Sequence, residues 1–294
     1  MDEGAKGIVR VGPAGWSYED WKGIVYPADM PSSQHPLTLL STFFDTVEVN
    51  STFYRPTQSR YCHLWLEKVR ENPRFVFTVK LWQRFTHQRD GYPGPEEVRA
   101  YCDGIQPLQE AGKLGAILVQ FPWSFKRSPE NRKWLARVAE TFAEYPLAVE
   151  LRHTSWLRDE FFDGLRQREI AFCNIDQPIH DGSITPSDYV TASTGYVRFH
   201  GRNKADWFRE GAGRNARYDY LYSKEELEPW IEKVKGMRKR VNDLFVITNN
   251  HYRGQAVVNA IEIQAAIGQA KYTLPKSILD AYPHLKRLMN KEGA

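Results

Sequence analysis

The sequence predicts a single (β/α)8 barrel of the TIM type, and two observations support this. Eight short runs rich in Val, Ile, Phe and Leu recur along the 294 residues, and stretches with the periodicity of amphipathic helices lie between them. No Gly/Ser-rich linker or shift of composition divides the chain. Such alternation indicates parallel βα units that close on themselves. We expect one domain over residues 1–294, with a barrel core at about 8–263 and C-terminal tail helices over 264–294.

Each element has its own signal. The predicted strands are 8–12, 46–50, 75–80, 115–121, 147–151, 170–175, 196–200 and 244–248. Helices with a charged face are predicted at 59–71, 95–111, 129–143 and 224–240, and capping signals at Ser128 and Ser223 precede two of them. An open doubly wound sheet is the alternative, but the Gly-Pro-Ala-Gly run at 12–15 has the wrong spacing for a dinucleotide-binding turn.

The amino-acid composition limits the classes of partner that we expect for this protein. Hydrophobic residues at 41% and charged residues at 26% are typical of a globular protein. A mean hydropathy of −0.57 and no long apolar run predict no spanning helix and no membrane partner. Three scattered cysteines, Cys62, Cys102 and Cys173, argue against a disulfide framework and favour a cytoplasmic location. The net charge of +4 is too small to indicate nucleic-acid binding by itself, and no protein partner is predicted.

Polar residues close most of the predicted strands, where the active site of a TIM barrel lies. If the valines at 47, 49, 149 and 197 face the helices, strand alternation turns six polar residues into the barrel: Glu48, Asn50, Glu150, Arg152, Arg198 and His200. Buried charges must pair, so we expect Glu48, Glu150 and Asp176 to balance Lys80, Arg152 and Arg198. A purely structural ion-pair network is the alternative to an active site.

Two loop features add to this predicted pocket. Aromatic residues follow many strand ends, and their faces could stack on a sugar or base: Trp16, Tyr18, Trp21, Phe53, Tyr54, Trp82, Trp123, Trp156 and Trp207. We expect about half of them only to pack, and Trp16 and Trp156 to be the ligand contacts. The loop at about 201–222 carries Arg202, Lys204, Arg209, Arg214 and Arg217 against Asp206 and Glu210, a net +3. Such a loop after strand seven suits a phosphate group, and a solvated surface loop is the alternative.

A divalent metal site is open at this point. Six residues supply enough donors in kind: Glu48, Glu150, His153, Asp176, His200 and His251. No known metal-binding spacing supports such a site, and cations at Lys80, Arg152 and Arg198 would oppose a dication. The cofactor is therefore left unassigned.

Several long strings resemble the YecE-like family, also called domain of unknown function seventy-two: GWSYEDWKGIVYP, FDTVEVNSTFY, VQFPWSF, VELRHTSW, VRFHGRN, YDYLYS and NNHYRGQAVVNA. The resemblance spans residues 8 to about 263 and implies a TIM barrel without an established reaction. Pro13-Ala14, Trp123 and Thr154 depart from the family's usual residues, all in loops. The motif positions that it carries over are Glu48, Asn50, Glu150, Arg152, His153, Arg198, His200, Asn249, Asn250 and His251.

The leading hypothesis is a phosphoester hydrolase for a phosphorylated or nucleotide-like ligand, by analogy of fold alone with the endonuclease-IV type of barrel. Lys80, Arg152 and Arg198 would stabilise phosphoryl charge, Glu48 or Glu150 would activate water, and His200 would act as acid. The remaining ligand-binding candidates are Trp16, Asn50, His153, Trp156, Arg202, Asn249, Asn250 and His251. The alternatives are a metal-free carbohydrate enzyme that uses Glu48 and Glu150, and a non-catalytic nucleotide or nucleic-acid binding protein.

Overall fold

Eight parallel strands form one nearly closed barrel, which confirms the predicted fold class. The computed structural model describes residues 7–207, 209, 211, 213–269 and 273–289. The strands are β1 Ile8–Pro13, β2 Thr46–Val49, β3 Val76–Lys80, β4 Leu114–Gln120, β5 Leu147–Glu150, β6 Ala171–Asp176, β7 Thr194–Phe199 and β8 Asp243–Thr248. Their order around the sheet is β1-β8-β7-β6-β5-β4-β3-β2, with every pair parallel.

Helices connect and cover these strands. In the described part of the chain they are Pro36–Leu40, Ser51–Tyr54, Ser59–Lys68, Pro95–Glu110, Pro129–Thr141, Asp159–Gln167, Lys204–Trp207, Arg214–Arg217, Lys224–Arg238, Gln255–Ala266, Lys276–Ala281 and Lys286–Met289. Short 3₁₀ turns lie at Glu19–Trp21, Gln83–Phe85, Thr154–Trp156, Tyr252–Gly254 and Pro283–Leu285. The four predicted helices all form. None of the described helices is long and apolar enough to cross a membrane.

Both predicted capping signals begin helices. The Ser128 hydroxyl accepts from the backbone N–H of Asn131 at 3.2 Å. Ser223 and Glu226 form a reciprocal capping box, in which the Ser223 hydroxyl accepts from the Glu226 N–H and the Glu226 carboxylate accepts from the Ser223 N–H. Residue 263, at which we expected the barrel core to end, lies inside helix Gln255–Ala266. The expected boundary therefore falls within a helix and not between two elements.

The strands β1 and β2 close the barrel through a short seam. The backbone N–H of Gly15 donates to the carbonyl of Glu48 at 2.8 Å, and Ala14 and Glu48 form an isolated parallel bridge. One residue before the end of β1, Gly12 lies so close to the Thr46 carbonyl that an added Cβ would collide with that oxygen. The absence of a side chain at Gly12 therefore lets the two strands approach.

Strand alternation sorts the residues as predicted on β2, β5 and β7. Phe199 packs against Trp230 of helix Lys224–Arg238 at 5.1 Å between ring centroids, so it faces the helix layer. Its neighbour Arg198 points the other way and reaches Glu48 and Glu150 inside the barrel. The alternation of period two thus carries these charges into the interior.

The prediction for Asp176 was wrong. Asp176 is in register with Phe199, which faces the helices, and it accepts hydrogen bonds from Trp230 at 2.6 Å and Tyr222 at 2.7 Å. Its charge is balanced by Arg202, with Nη2 at 2.7 Å from Oδ2. Because β6 presents this position to the helix layer, Asp176 takes no part in the interior charge balance.

Replacing Gly12 with alanine tests the seam. We expect Gly12→Ala to lower the free energy of unfolding by about 1–3 kcal/mol, the usual range for overpacking, because the new methyl group must push β1 away from Thr46. Urea unfolding monitored by tryptophan fluorescence measures the change. Gly236→Ala is the matched control, since its Cβ would meet open space within a helix and should raise stability by about 0.5–1 kcal/mol. Equal stability of Gly12→Ala and the unmodified protein would contradict the role of the seam.

Candidate functional site

A fully buried guanidinium joins two carboxylates in the centre of the barrel. Arg198 Nη1 donates to Glu150 Oε2 at 2.5 Å, and Nη2 donates to Glu48 Oε1 at 2.7 Å. The three side chains are at most 1% exposed. Pairs this deep are stable only when hydrogen bonds compensate the lost hydration of both partners. These residues form the floor of the barrel mouth.

Tyr196 completes the floor beneath Glu48. Its hydroxyl donates to Glu48 Oε2 at 2.9 Å and lies 2.8 Å from the Thr78 hydroxyl. Burial, with the nearby Glu48 carboxylate, raises the pKa of Tyr196 well above its ordinary value, so the phenol stays protonated. Both oxygens of Glu48 are therefore occupied by protein donors.

The second tier is organised around Glu150. Arg152 Nε donates to Glu150 Oε1 at 2.9 Å, and His200 Nε2 lies 3.1 Å from the same oxygen. Burial alone would raise the pKa of Glu150, but the charges of Arg198 and Arg152 hold it well below its usual range. Glu150 is therefore ionised, and its oxygens are shared among three donors.

His200 is neutral in this network. Burial and the nearby guanidiniums of Arg152 and Arg198 lower its pKa to about 3, although Glu150 opposes them. A neutral ring has one N–H, and placing it on Nε2 lets the ring donate to the Glu150 carboxylate, which cannot donate itself. Nδ1 then accepts from the amide of Asn249 at 3.2 Å. His200 thus positions Glu150 and has no proton to release near neutral pH.

Lys80 has a different environment from the other cations. Its Nζ donates to the neutral amide oxygen of Gln120 at 3.1 Å and lies 4.0 Å from the centroid of the Phe53 ring. Within the described residues, no ion pair includes Lys80. Burial and the charge of Arg198 lower its pKa to about 7, with the two buried glutamates opposing. At neutral pH, Lys80 is therefore divided between ammonium and free amine.

Trp207 covers the outer side of this cluster. The Arg152 guanidinium lies 5.5 Å from the Trp207 ring, and His200 meets the same ring edge-on at 5.9 Å. A row of rings holds Trp207 in place, because it packs on Tyr218, Tyr218 on His251, and His251 is stacked on Tyr18 at 4.4 Å. Trp207 is one of the aromatic loop residues whose faces we expected could stack on a ligand, although we favoured Trp16 and Trp156. The sequence signal that could have placed Trp207 beside the charged cluster was its position, seven residues after His200.

The interior cluster carries more positive charges than negative charges. Within this cluster, Glu48 and Glu150 carry two negative charges, and Arg198, Arg152 and protonated Lys80 carry three positive charges. The Arg152 side chain is 13% exposed and Lys80 is half-buried, whereas Arg198 is sealed in the floor. A ligand at the mouth therefore meets Lys80 and Arg152 first.

Both tryptophans that we singled out pack against other aromatic side chains. Trp156 is 1% exposed, donates from its indole N–H to the Phe125 carbonyl at 2.6 Å and stacks on the Phe125 ring. It lines a cavity of about 420 Å³ in the helix layer. Trp16 packs edge-on against Trp65, which lines a second cavity of about 540 Å³ beside Arg55. Trp156 serves the core, because its N–H needs a buried acceptor.

Other candidates act in loop structure. His153 Nδ1 accepts from the Ser155 N–H at 3.1 Å and caps a 3₁₀ turn. The amide of Asn250 donates to the Tyr220 carbonyl at 2.8 Å, and His251 belongs to the aromatic row. Asn50 is half-buried and precedes helix Ser51–Tyr54, where its carbonyl accepts from the Phe53 N–H. These residues shape the mouth, and Asn249 contacts the charged network through His200.

The loop after β7 differs from the expected phosphate site. Arg202 is bound to Asp176 and, at 3.2 Å, to Glu226, so its charge is already neutralised. Arg209 pairs with Asp206 at 2.7 Å. Glu210 and the Arg214 side chain lie outside the described residues. The charges of Arg202 and Arg209 are therefore compensated within the protein, and Arg202 points away from the barrel interior.

The nominated metal ligands do not fit a divalent ion. Glu48 and Glu150 are held by guanidiniums, Asp176 faces the helices, and His153 caps a turn. Across the described ranges, no group of three or more His, Cys, Asp or Glu side chains is placed to hold a metal ion. The cations next to the carboxylates would repel a dication.

Comparison with known proteins agrees with this architecture. The family described as "Protein of unknown function DUF72" matches residues 10–281. The chain belongs to the DUF72 family. This match confirms the resemblance read from the motifs and extends beyond residue 263, into helix Lys276–Ala281.

Individual DUF72 relatives are similar over most of their length. The UPF0759 protein YunF of Bacillus subtilis (strain 168) is 30% identical over 269 residues, which cover 86% of this chain and 92% of that protein. A DUF72 family protein from Thermotoga maritima has a solved structure with 39% identity and a TM-score of 0.79, covering 88% of this chain and 99% of that one. Another from Enterococcus faecalis V583 has 25% identity and a TM-score of 0.77, covering 91% and 98%.

Replacing Glu150 with glutamine tests whether its buried carboxylate is needed to hold the guanidiniums of Arg152 and Arg198. We expect this change to lower the free energy of unfolding by about 3–5 kcal/mol, because it leaves Arg152 and Arg198 buried without their shared anion. Chemical denaturation of both proteins gives the difference. Asp280→Asn is the control, because it breaks an exposed pair with Lys276 and should leave the free energy of unfolding nearly unchanged. A loss below 1 kcal/mol in Glu150→Gln would show that the carboxylate is not needed to hold the guanidiniums.

Proposed function

We propose that this protein is an enzyme that binds a phosphorylated or otherwise anionic, ring-bearing small molecule at the mouth of the barrel, with Lys80 as the reacting group. The carrying observation is that Lys80 has a neutral amide and an aromatic ring as its described partners, beside a cluster whose carboxylates are already paired. An anion at the mouth completes the charge balance. A half-buried ammonium with no described counter-ion favours such a ligand electrostatically.

Arg152 and two aromatic rings define the rest of the proposed pocket. Arg152 retains donors beyond the Nε and Nη2 that contact Glu150, and a guanidinium suits phosphate or carboxylate oxygens. Phe53 lies beside Lys80 and Trp207 lies beside Arg152, so each cation is flanked by a ring face. Rings and cations in this arrangement support a ligand that combines an anionic group with a flat or cyclic body.

Phosphoester hydrolysis, our first hypothesis, needs different residues in this geometry. Glu48 and Glu150 are fully buried and bound to Arg198, so neither is placed to activate water. His200, with a pKa near 3, is not a proton donor at neutral pH. The proposal therefore keeps the anionic substrate class and moves the reacting group to Lys80, whose pKa near 7 suits proton transfer.

The two alternative functions receive less support. A carbohydrate enzyme of the two-carboxylate type needs Glu48 and Glu150 on opposite sides of a sugar bond, whereas one guanidinium holds both. A nucleic-acid binding protein needs free cations on the loop after β7, where Arg202 and Arg209 are paired with carboxylates. A cytoplasmic location stays a proposal, supported by three cysteines that are all free thiols.

Anion binding gives the first test. We expect phenyl phosphate to raise the melting temperature and phenol to leave it unchanged at equal ionic strength, since only the former supplies an anion to Lys80 and Arg152. Lys80→Met should weaken phenyl phosphate binding by about ten- to a hundredfold, the equivalent of one charged hydrogen bond. Isothermal titration calorimetry measures both proteins.

Lys126→Met is the control for this experiment, because Lys126 is an exposed lysine stacked on Trp123 outside the interior cluster. Its affinity for phenyl phosphate should equal that of the unmodified protein. Equal binding of phenol and phenyl phosphate, or full affinity in Lys80→Met, would contradict the proposal.

The pH dependence of anion binding should follow Lys80. Its folded-state pKa of about 7 lies below the ordinary 10.5, so the ammonium is present below pH 7 and is lost as the pH rises through 7. Affinity for benzenesulfonate, which stays ionised, should therefore be constant below pH 7 and fall about tenfold per pH unit above it. His200 and His87, with pKa values near 3 and 4, do not titrate in this range.

Binding measured from pH 6 to 9 checks this expectation. Lys80→Met should bind weakly and with no pH dependence, because Arg152 stays charged throughout. A decline in affinity that persists in Lys80→Met would assign the titration to another group. The same low pKa makes folding stability rise between pH 7 and 10.5, where the unfolded chain binds a proton that folded Lys80 has released.

A further inference from the structure

We propose that Lys80 is an imine-forming nucleophile, and that the substrate is an anionic, ring-bearing aldehyde or ketone. This inference rests on the proposed function, because it names the reactive group of the same ligand. It starts from a lysine at the end of β3 that has no described ion-pair partner and lies half-buried above two neutralised carboxylates. Catalytic amines of this kind are desolvated and lie beside other cations.

The contacts of Lys80 leave its nitrogen available for attack. Nζ has a single hydrogen-bonded neighbour in the described structure, the amide oxygen of Gln120 at 3.1 Å. This oxygen accepts one N–H of the amine. The centroid of the Phe53 ring lies 4.0 Å from the nitrogen and covers one side of it. A carbonyl group would be attacked from a side of the nitrogen that neither of these partners occupies.

Electrostatics supplies the free amine that attack requires. The guanidiniums of Arg198 and Arg152 disfavour a third positive charge nearby, and burial acts in the same direction, so the pKa of Lys80 is about 7. About half of the molecules then carry the unprotonated amine at pH 7. The neighbouring Glu48 and Glu150 oppose this effect without cancelling it. An ordinary exposed lysine would be almost fully protonated and unreactive at this pH.

The reaction balances with water as the sole by-product. The Nζ lone pair forms a bond to the carbonyl carbon, and the carbonyl π electrons move to oxygen, which takes a proton. Nitrogen loses one proton, giving a neutral carbinolamine. The hydroxyl group then takes up one proton from the solvent and leaves as water, which gives a protonated imine, C=NH⁺, with no change in oxidation state. The positive charge stays at the position of Lys80, where the anionic group of the bound substrate offsets it.

Borohydride trapping tests this chemistry. Pyridoxal 5′-phosphate is a suitable probe because one molecule carries an aldehyde, a ring and a phosphate, and pyridoxal is its matched analogue without the phosphate. Each would be added at limiting concentration and pH 7, followed by sodium borohydride, which converts an imine to a stable secondary amine. Intact-mass and peptide mass spectrometry then locate the label. We expect Lys80 to be labelled at least tenfold faster by the phosphorylated aldehyde than any exposed lysine is.

Two variants and one parallel measurement make the outcome decisive. Lys80→Arg should keep the charge and lose the label, whereas Lys126→Arg should be labelled at Lys80 like the unmodified protein. Label spread over exposed lysines with none at Lys80, in protein that still binds benzenesulfonate, would overturn the imine and leave the proposed function standing. Equal labelling of Lys80 by both aldehydes, with no anion binding, would instead contradict the anionic substrate and the proposed function while supporting the reactive amine.

Discussion

The buried bridge from Arg198 to Glu48 and Glu150 determines what the rest of the barrel mouth can do. It joins β2, β5 and β7 through side chains that are almost inaccessible to water. Once both carboxylates are committed to this bridge, neither is free to neutralise Lys80, and the interior keeps an excess positive charge. The stability of the floor and the reactivity of the mouth therefore have one electrostatic origin.

The alternation of residues along the strands made most of this arrangement predictable. Valines on either side of Glu48 and beside Arg198 require those charges to point inward, and all eight strands formed where the apolar runs lie. Alternation also accounts for Tyr196, two residues before Arg198, although only the structure shows that it reaches Glu48 from across the barrel. Local patterns fix the direction of a side chain along one strand, whereas its partner on a distant strand depends on barrel closure.

The predictions failed at residues whose positions depend on how the barrel closes or on the path of a loop. Asp176 ends its strand as Glu150 does, but β6 presents that position to the helix layer, where Trp230, Tyr222 and Arg202 bind it. This contact also removed Arg202 from the candidate phosphate site. Trp156 and Trp207 are equally plausible from sequence, and only the path of each loop decides that one enters the core and the other covers Arg152.

In this account, the pocket binds its ligand through the positive charge of Lys80, which has no described counter-ion in the protein. Titration of Lys80 itself tests that account most directly, by NMR of the lysine ε-methylene carbons in protein labelled with ¹³C-lysine, with the Lys80 signal assigned through Lys80→Arg. The account predicts a midpoint near pH 7 for Lys80, well below the ordinary lysine value of 10.5. A midpoint for Lys80 near 10.5 would show that the buried glutamates still neutralise it, and would contradict the central claim.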